Sequence, residues 1–490
     1  MLEVARENPQ APAHPAPVVF FSAFGESSLD FELGIWERGN ERRTHPDRAA
    51  GERWARRTSE AAGDAPRAAM SKLRRTLGLA SLSFYGIGLI LGAGVYSVIG
   101  VATAEAGAAV WQSFALGSLA ALLTGLSYAE LATAYPRAGA EFVYIGAAFP
   151  RARWLATLVG LVLVAGAAAT AATVAVAFGS YLSDFVNVPV WLAAVALLAA
   201  ATALCLFGLR ESTWINIVFT LIEVGGLVLF VAVGAGAPGF GAALATPPHF
   251  GVMSGAALVF FAYLGFEDIA NLAEETREPG RDLPRAILIS VAVTTTLYVL
   301  VGLAAVALVA PEELAQSESP LAEAAKGRSP VAASALGGIA LFATANTALI
   351  TLLAASRMLY GMAREGDLPR ALGSVSRRKT PWVATLAVSA VAIATLPLGG
   401  IAALAGVSSF AALLGFAAVN LALIVLRRRE PTRERPFRVP LSVGGIPVLP
   451  VLGIAITLLL ATQFKLPVYL AGAVVIALSA AAVFARRVVK

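Results

Sequence analysis

The sequence predicts an all-α polytopic membrane protein with twelve transmembrane helices. Hydrophobic residues make up 58% of the chain and charged residues 14%, whereas ordinary soluble domains are about 25% charged. Apolar segments long enough to cross a bilayer as helices, which takes about 20 residues, recur along the chain. The predicted spans are 77–102, 110–134, 154–182, 189–209, 213–235, 250–272, 284–310, 331–357, 381–398, 401–426, 443–463 and 467–485.

The arginines and lysines predict the orientation. If the N-terminus is cytoplasmic and successive spans cross the membrane in alternating directions, the outside loops hold only three of the 37 Lys and Arg residues: Lys326, Arg328 and Lys465. Cytoplasmic loops carry an excess of basic residues, so we expect a multi-pass protein of the cell membrane with both termini in the cytoplasm. The same bias explains the net charge of +6 without a nucleic-acid partner.

Residues 1–70 precede the first span and are polar, with mixed charges and many Ala and Pro residues. We expect a mostly disordered cytoplasmic tail at 1–70, then a membrane domain at 71–485 and a cytoplasmic C-terminus at 486–490. The stretch 18–36 resembles a strand-forming segment from the soluble region of small-conductance mechanosensitive channels. Nothing after it continues that resemblance, so we interpret the tail as a fusion remnant or over-extended start, with no part in the function.

The first span contains four glycines within nine residues: Gly86, Gly88, Gly92 and Gly94. Each costs a helix on the order of 1 kcal/mol relative to alanine, so four together invite a break. In hydrocarbon a break persists only where protein or a polar cavity satisfies the freed backbone groups. The pattern indicates either a binding site near the bilayer midplane, where N–H groups hold an anion, or a close helix-packing face.

The sixth span has a second irregular point, where Gly265 is followed by Phe266, Glu267 and Asp268. One carboxylate at the bilayer centre costs about 2.5–3.5 kcal/mol on insertion scales, so two adjacent ones do not suit an unbroken helix in lipid. We expect a broken helix; the alternative is a helix that ends early, with both acids at the cytoplasmic mouth. Spans one and six lie five apart, so a second five-span copy would be inverted, and paired interrupted spans are typical of transporter sites.

Several motifs resemble those of the amino acid–polyamine–organocation permeases. They are the glycine-rich first span, Phe260-Phe-Ala-Tyr-Leu-Gly-Phe-Glu-Asp268 with the charged run behind it, the segment 355–369, and Tyr128-Ala-Glu-Leu131 with Tyr135-Pro-Arg-Ala-Gly139. The resemblance covers about residues 72–490. It implies the leucine-transporter-like fold, a 5+5 inverted repeat at 77–235 and 250–426 with two appended helices at 443–485.

The two breaks offer groups for both ends of an amino acid. N–H groups at the first break, with the positive end of the following helix, suit a carboxylate, and unpaired carbonyls of Phe261, Ala262 and Leu264 suit an ammonium. The resemblance places these positions in the substrate pocket. The substrate-binding residues carried over are Ile90, Gly92, Ala93, Gly94, Phe261, Ala262 and Leu264. Phe261 either gates the site or packs in the core.

Glu223 lies about halfway along the fifth span and is too short to reach an interface well. Burial there favours the neutral carboxyl, so Glu223 is our candidate for proton coupling; the alternative is a neutral, hydrogen-bonded structural residue. Some proton-coupled relatives in the resembling family carry a lysine at the matching position, so the coupling mechanism does not carry over directly. Asn346 and Asn420 are polar residues at depth, expected to bond between helices.

We expect a secondary active amino acid permease that works by alternating access and is proton-coupled, with sodium as the alternative ion. An exchanger or polyamine transporter of the same fold, and less readily a channel or a membrane-embedded enzyme, are the alternatives. An enzyme would need a catalytic or metal cluster at depth; His14, His45 and His249 lie outside the predicted spans and Cys205 is the one cysteine. We expect no cofactor and no metal site, and we expect the basic run 427–438 to contact lipid headgroups.

Overall fold

The structure, a computed structural model, describes residues 77–136, 140–207, 213–273 and 275–489, and two strands at 18–24 and 29–34. The chain divides into two compact units, Met1–Arg74 and Arg75–Lys490. In the first unit, strands β1 (Val18–Phe24) and β2 (Leu29–Gly34) pair antiparallel. The stretch that resembles a strand-forming segment thus contains two strands. The expected disorder of the rest of the tail falls on residues outside the described ranges.

The second unit is almost entirely helical where it is described. Its helices are α1 (Leu79–Leu91), α2 (Gly94–Ala106), α3 (Val110–Ala134), α4 (Ala140–Ala148), α5 (Trp154–Ser183), α6 (Val190–Phe207), α7 (Thr213–Ala235), α8 (Phe240–Leu244), α9 (Gly251–Val259), α10 (Pro279–Leu308), α11 (Pro311–Gln316), α12 (Pro320–Lys326), α13 (Pro330–Arg364), α14 (Trp382–Thr395), α15 (Ile401–Arg429), α16 (Val448–Ala461) and α17 (Leu466–Val489). A two-stranded hairpin, β3 (Ser442–Val443) and β4 (Ile446–Pro447), precedes α16.

Among the described residues, nine helical segments are long and apolar enough to cross a membrane. Three shorter apolar helices accompany them: Leu79–Leu91, Trp382–Leu398 and Val448–Ala461. The chain is therefore an all-α polytopic membrane protein, as its composition predicts. The count of twelve spans and the inverted repeat remain predictions.

α6 illustrates how a span divides its surface. All of its 18 residues are uncharged, so the helix can lie in hydrocarbon on one side and pack against protein on the other. Leu198 and Cys205 are buried, while Trp191 and Leu204 on the same helix are exposed. Exposed apolar side chains of this kind suit contact with lipid.

Two apolar cores hold the helices together. The larger core joins α2, α3, α10 and α15 through Tyr96, Phe114, Tyr298 and Phe416, and it includes the end of α9. A second core joins α5, α6, α13 and α14 through small and branched residues such as Ala171, Leu198, Leu352 and Val388. Small residues let helix backbones approach closely, which is how helices associate in a membrane.

Candidate functional site

The first predicted span is interrupted between α1 and α2. At Gly92 the backbone leaves the helix (φ 7°, ψ −144°), and its N–H donates to the Gly88 carbonyl oxygen at 3.3 Å. The next N–H, of Ala93, donates to Thr347 Oγ1 on α13 at 2.9 Å. The N–H groups of the first turn of α2, which starts at Gly94, have no acceptor within their own helix and favour an anion. The predicted break is confirmed.

The sixth predicted span is also broken. After α9 come a 3₁₀ segment (Phe260–Tyr263), an extended residue at Leu264 (ψ 139°), Gly265, and a second 3₁₀ segment (Phe266–Leu272). Gly265 has φ +116°, and a Cβ there would lie 2.8 Å from the Leu89 carbonyl oxygen, so the turn requires glycine. The broken-helix prediction is confirmed.

The two acids after this break bond locally. Glu267 Oε2 accepts a hydrogen bond from the Gly265 N–H at 2.8 Å. Asn271 Nδ2 donates to Asp268 Oδ1 at 3.3 Å, and Asn271 Oδ1 accepts from the Ala140 N–H at 3.3 Å. The Glu267 side chain thus stabilises the turn at Gly265. Asn271 bonds both Asp268 and the first residue of α4, so it links the broken segment to that helix.

The two breaks touch each other. A Cβ on Gly94 would lie 2.5 Å from Ala262 Cα, so only glycine allows this approach. The Tyr298 hydroxyl of α10 lies 2.6 Å from the Ile90 carbonyl oxygen and 2.9 Å from the Ala262 carbonyl oxygen. One phenolic proton can be donated to one acceptor at a time, so Tyr298 is shared between the two broken spans.

These contacts correct one expectation. The carbonyl of Ala262 is not unpaired, because it can accept from Tyr298, and the Phe261 carbonyl accepts from the Leu264 N–H at 3.3 Å. The cause is that α10 and the turn itself supply donors at close range. The predicted residues nevertheless come together, all buried except the half-buried Leu264: Ile90, Gly92, Ala93, Gly94, Phe261 and Ala262.

Glu223 lies on α7 beside this region, with 1% of its surface exposed. One of its carboxylate oxygens, Oε1, has no hydrogen-bond partner among the described residues. The side chain of Asn346 hydrogen-bonds the carboxylate, and the Tyr96 hydroxyl donates to the Glu223 backbone oxygen at 3.4 Å. The next residue on α13, Thr347, holds the Ala93 N–H. Two consecutive residues of α13 therefore connect Glu223 with the first break.

Sequence reasoning missed Thr347 and Tyr298. The signal for Thr347 is weak: it follows Asn346, but Thr344 and Thr351 lie close by in the same span and are equally polar. Tyr298 follows three threonines in α10 and resembles any interfacial tyrosine. Within the ranges that the structure describes, no group of three or more His, Cys, Asp or Glu residues could hold a metal ion.

A buried ion cluster joins the end of α3 to the end of α15. Glu130 is fully buried and accepts from Arg427 Nε at 2.9 Å, from Arg427 Nη2, and from the Val439 N–H at 2.7 Å. Arg435 Nε lies 3.1 Å from Glu130 Oε1. Arg427 also donates to Ser442 Oγ and to the Val439 carbonyl oxygen, both at 2.9 Å. The segment after α15 is thereby fixed against α3.

A second set of contacts continues this cluster. Arg433 donates to the Ala134 carbonyl oxygen at 2.9 Å and to Glu430 Oε2 at 2.8 Å, and its guanidinium lies 3.7 Å from the centre of the Tyr135 ring. Burial and the hydrogen bond to Glu430 raise the pKa of Tyr135 to about 12. The expectation of lipid-headgroup contact is therefore wrong for Arg427 and Arg435, whose side chains are buried against protein acceptors. For the half-buried Arg433 it stays a prediction.

Comparison with known proteins identifies the family. The family model described as "Amino acid permease" matches residues 77–484. The chain is 30% identical to the branched-chain amino acid permease BcaP of Bacillus subtilis, over 79% of this chain and 88% of that protein. It is 32% identical to an uncharacterized transporter of Mycobacterium tuberculosis, over 86% and 94% of the two chains. It is also 32% identical to the vacuolar cationic amino acid transporter 4 of Arabidopsis thaliana, over 74% of this chain and 64% of that one.

The resemblance read from the motifs is thereby confirmed along almost the whole membrane unit. The match includes both broken spans, the helix that carries Glu223 and the helices that supply Thr347 and Tyr298. The chain belongs to the amino acid permease family, within the amino acid–polyamine–organocation superfamily, and is a membrane transporter rather than an enzyme.

Proposed function

We propose that the protein is a secondary active transporter that moves α-amino acids across the cell membrane by alternating access, coupled to protons. Family membership supports amino acid transport. The observation that carries the proposal is the contact between the breaks in spans one and six, with Glu223 buried beside it. In membrane transporters, helices broken within the hydrocarbon region are found where their freed backbone groups bind a substrate or ion.

The proposed architecture has twelve spans. The span formed by α1 and α2 together, with α3, α5, α6, α7, the broken segment that starts at α9, α10, α13, α14, α15, α16 and α17, would give that number. The first five and the next five would form two inverted repeats at 77–235 and 250–426, followed by two helices at 443–485. The distribution of Lys and Arg favours both termini in the cytoplasm.

The proposed site binds both ends of an amino acid through backbone. The Ala93 N–H, which now donates to Thr347, and the first-turn N–H groups of α2, starting at Gly94, would take the carboxylate. The carbonyls of Ile90 and Ala262, which now face Tyr298, would take the ammonium. The side chain would lie near Ile90 and Phe261, whose apolar surfaces suit an uncharged substrate better than a cationic one.

Because Gly94 and Ala262 are in contact, no substrate fits between them in this conformation. Entry requires the two broken spans to separate, first toward one side of the membrane and then toward the other. We assign this arrangement, with the two breaks in contact, to the closed state that alternating access requires between its two open states.

The proposed proton site is Glu223. A buried carboxylate without a cationic partner is costly at membrane depth, so this closed state favours a neutral carboxyl. Opening toward water would let the proton leave, and the chain Glu223–Asn346–Thr347–Ala93 would transmit the change to the first break. One proton moving down 100 mV releases about 2.3 kcal/mol, which at about 1.4 kcal/mol per decade sustains roughly forty-fold accumulation.

Uptake into proteoliposomes tests the proposal. We expect accumulation of labelled leucine, and weaker uptake of arginine, when the outside is acidic. Glu223→Gln should abolish accumulation driven by the pH gradient while downhill uptake persists. The control is Glu105→Gln, which neutralises an acid near the C-terminal end of α2, where it pairs with Lys465 at 2.6 Å.

Three outcomes would refute parts of this reasoning. Full pH-driven accumulation by the Glu223→Gln protein would exclude a proton role for that residue, and a sodium gradient replacing the pH gradient would change the coupling ion. If no amino acid in a panel of neutral, cationic and acidic compounds were taken up or exchanged, amino acid transport itself would be refuted.

A further inference from the structure

Two hydroxyl groups satisfy the backbone at the breaks. At the first break, Thr347 Oγ1 accepts the Ala93 N–H at 2.9 Å. Between the breaks, the buried Tyr298 hydroxyl lies 2.6 Å from the Ile90 carbonyl oxygen and 2.9 Å from the Ala262 carbonyl oxygen. Each hydroxyl comes from a helix outside the broken spans, Thr347 from α13 and Tyr298 from α10.

The two hydroxyls have the polarity of the two ends of an amino acid. A carboxylate accepts from backbone N–H groups, and Thr347 presents an accepting oxygen to one. An ammonium donates to carbonyls, and Tyr298 presents a donating O–H to two of them. In this conformation the protein thus provides one hydrogen-bond acceptor and one donor, at the positions where the carboxylate and the ammonium of the proposed substrate would provide the same.

We propose that Thr347 and Tyr298 stand in for the substrate when the site is empty, so that the transporter can return through its closed state unloaded. This inference rests on the proposed function. A buried polar group without a partner raises the free energy of the state that contains it. A carrier whose empty site lacked these partners would pass through the closed state slowly unless substrate were bound, and it would behave as an exchanger.

Tyr298→Phe and Thr347→Val test the inference. Phenylalanine keeps the ring contacts of Tyr298, whose centroid lies 5.4 Å from that of Phe114 and 5.3 Å from that of Tyr263, and removes only the hydroxyl. Valine has nearly the shape of threonine but no acceptor for the Ala93 N–H. Thr347→Ser keeps the hydroxyl and should behave as wild type.

The assay compares two transport modes in the same proteoliposomes. Net uptake of labelled leucine down its own concentration gradient, measured at equal pH on both sides, requires an empty return step; exchange against vesicles loaded with the unlabelled amino acid does not. Arginine replaces leucine if leucine is not taken up. We expect net uptake to fall about ten-fold or more in Tyr298→Phe and Thr347→Val, since leaving one buried group unpaired is worth about a decade in rate. Exchange should stay within about three-fold of wild type.

Matched controls remove hydroxyls that do not touch the breaks. Tyr144→Phe removes a buried hydroxyl that has no hydrogen-bond partner among the described residues. Thr344→Val, one turn before Thr347, removes bonds only to the carbonyls of Ala340 and Leu341 in its own helix. Neither control should change the ratio of net uptake to exchange.

The outcomes separate the inference from the proposed function. Selective loss of net uptake in both variants supports the stand-in role. Equal loss of both modes, unchanged net uptake, or a wild-type protein that exchanges but never takes up substrate net would each overturn it while leaving amino acid transport established. A wild-type protein that performs neither mode would instead remove the proposed function. If Tyr298→Phe does not fold, Thr347→Val and its serine counterpart decide the question.

Discussion

Glu130 offers the sharpest test of what holds the helix bundle together. Its carboxylate is fully buried between α3 and α15 and has three partners: Arg427 with two nitrogens, Arg435 Nε at 3.1 Å, and the Val439 N–H at 2.7 Å. Glu130→Gln keeps the size of the side chain but removes its charge and replaces one accepting oxygen with an NH₂ group. The new NH₂ group is a donor and would face donors of Arg427 and Arg435, so both guanidiniums would be poorly paired.

The expected loss follows from desolvation. Breaking a buried ion pair by neutralising one partner costs about 3–5 kcal/mol, because the other charge remains in a dry environment. The cost here should fall in that range. Arg427 keeps its bonds to Ser442 and the Val439 carbonyl, but both Arg427 and Arg435 lose the carboxylate that balances their charge. An exposed ion pair contributes about 0–1 kcal/mol. The pair Arg153–Glu365, with about half of each side chain exposed, provides that comparison.

Steric trapping in bicelles measures the free energy of unfolding without leaving a bilayer-like environment. Glu130→Gln should lower it by about 3–5 kcal/mol, and Arg153→Gln by less than about 1 kcal/mol. A double-mutant cycle between Glu130 and Arg435 should give a coupling of about 0.5–3 kcal/mol. A Glu130→Gln protein as stable as the Arg153→Gln protein would show that the cluster does not stabilise the fold.

Two further predictions concern the helix contacts. Gly94→Ala should reduce both transport and stability, the latter by about 1–3 kcal/mol, because the new Cβ would meet Ala262 Cα at 2.5 Å. Gly225→Ala, which places a Cβ in open space, should be neutral in uptake and in thermal unfolding, and equal effects of the two substitutions would contradict the contact. Asn420→Ala should lower the free energy of unfolding by about 1–3 kcal/mol, since it leaves the hydroxyls of Thr124 and Ser127 without their inter-helix partner; a change below about 0.5 kcal/mol in bicelles would count against it.

The breaks were predictable because their causes are local. Four glycines in nine residues weaken a helix wherever it lies, and Gly265 before two acids does the same in span six. A membrane then restricts where such breaks can persist. Glu223 was predictable for a similar reason, since a single acid in an apolar span is conspicuous.

The partners of these groups were not predictable, because they are set by tertiary approach. Tyr298 and Thr347 are ordinary residues in their helices, and only the packing of α10 and α13 against the broken spans gives them a role. Glu130 and Arg427 are 297 positions apart, and the sequence alone gives no reason to pair that acid with that base. The Ala262 carbonyl, which was expected to be free, faces Tyr298 for the same reason.

The strengths of these contacts indicate where the molecule can move. Each hydroxyl bond at the breaks is neutral and contributes about 0.5–1.5 kcal/mol net, so exchanging it for a bond to substrate changes the energy little. The Glu130 cluster would cost about 3–5 kcal/mol to open without replacement partners, which at about 1.4 kcal/mol per decade is a population penalty of more than a hundred-fold. If the cluster had to open in each transport cycle, each cycle would include a state with that population penalty. The ends of α3 and α15 should therefore move as one body, while the broken spans separate from each other and from α13 at the hydroxyl contacts.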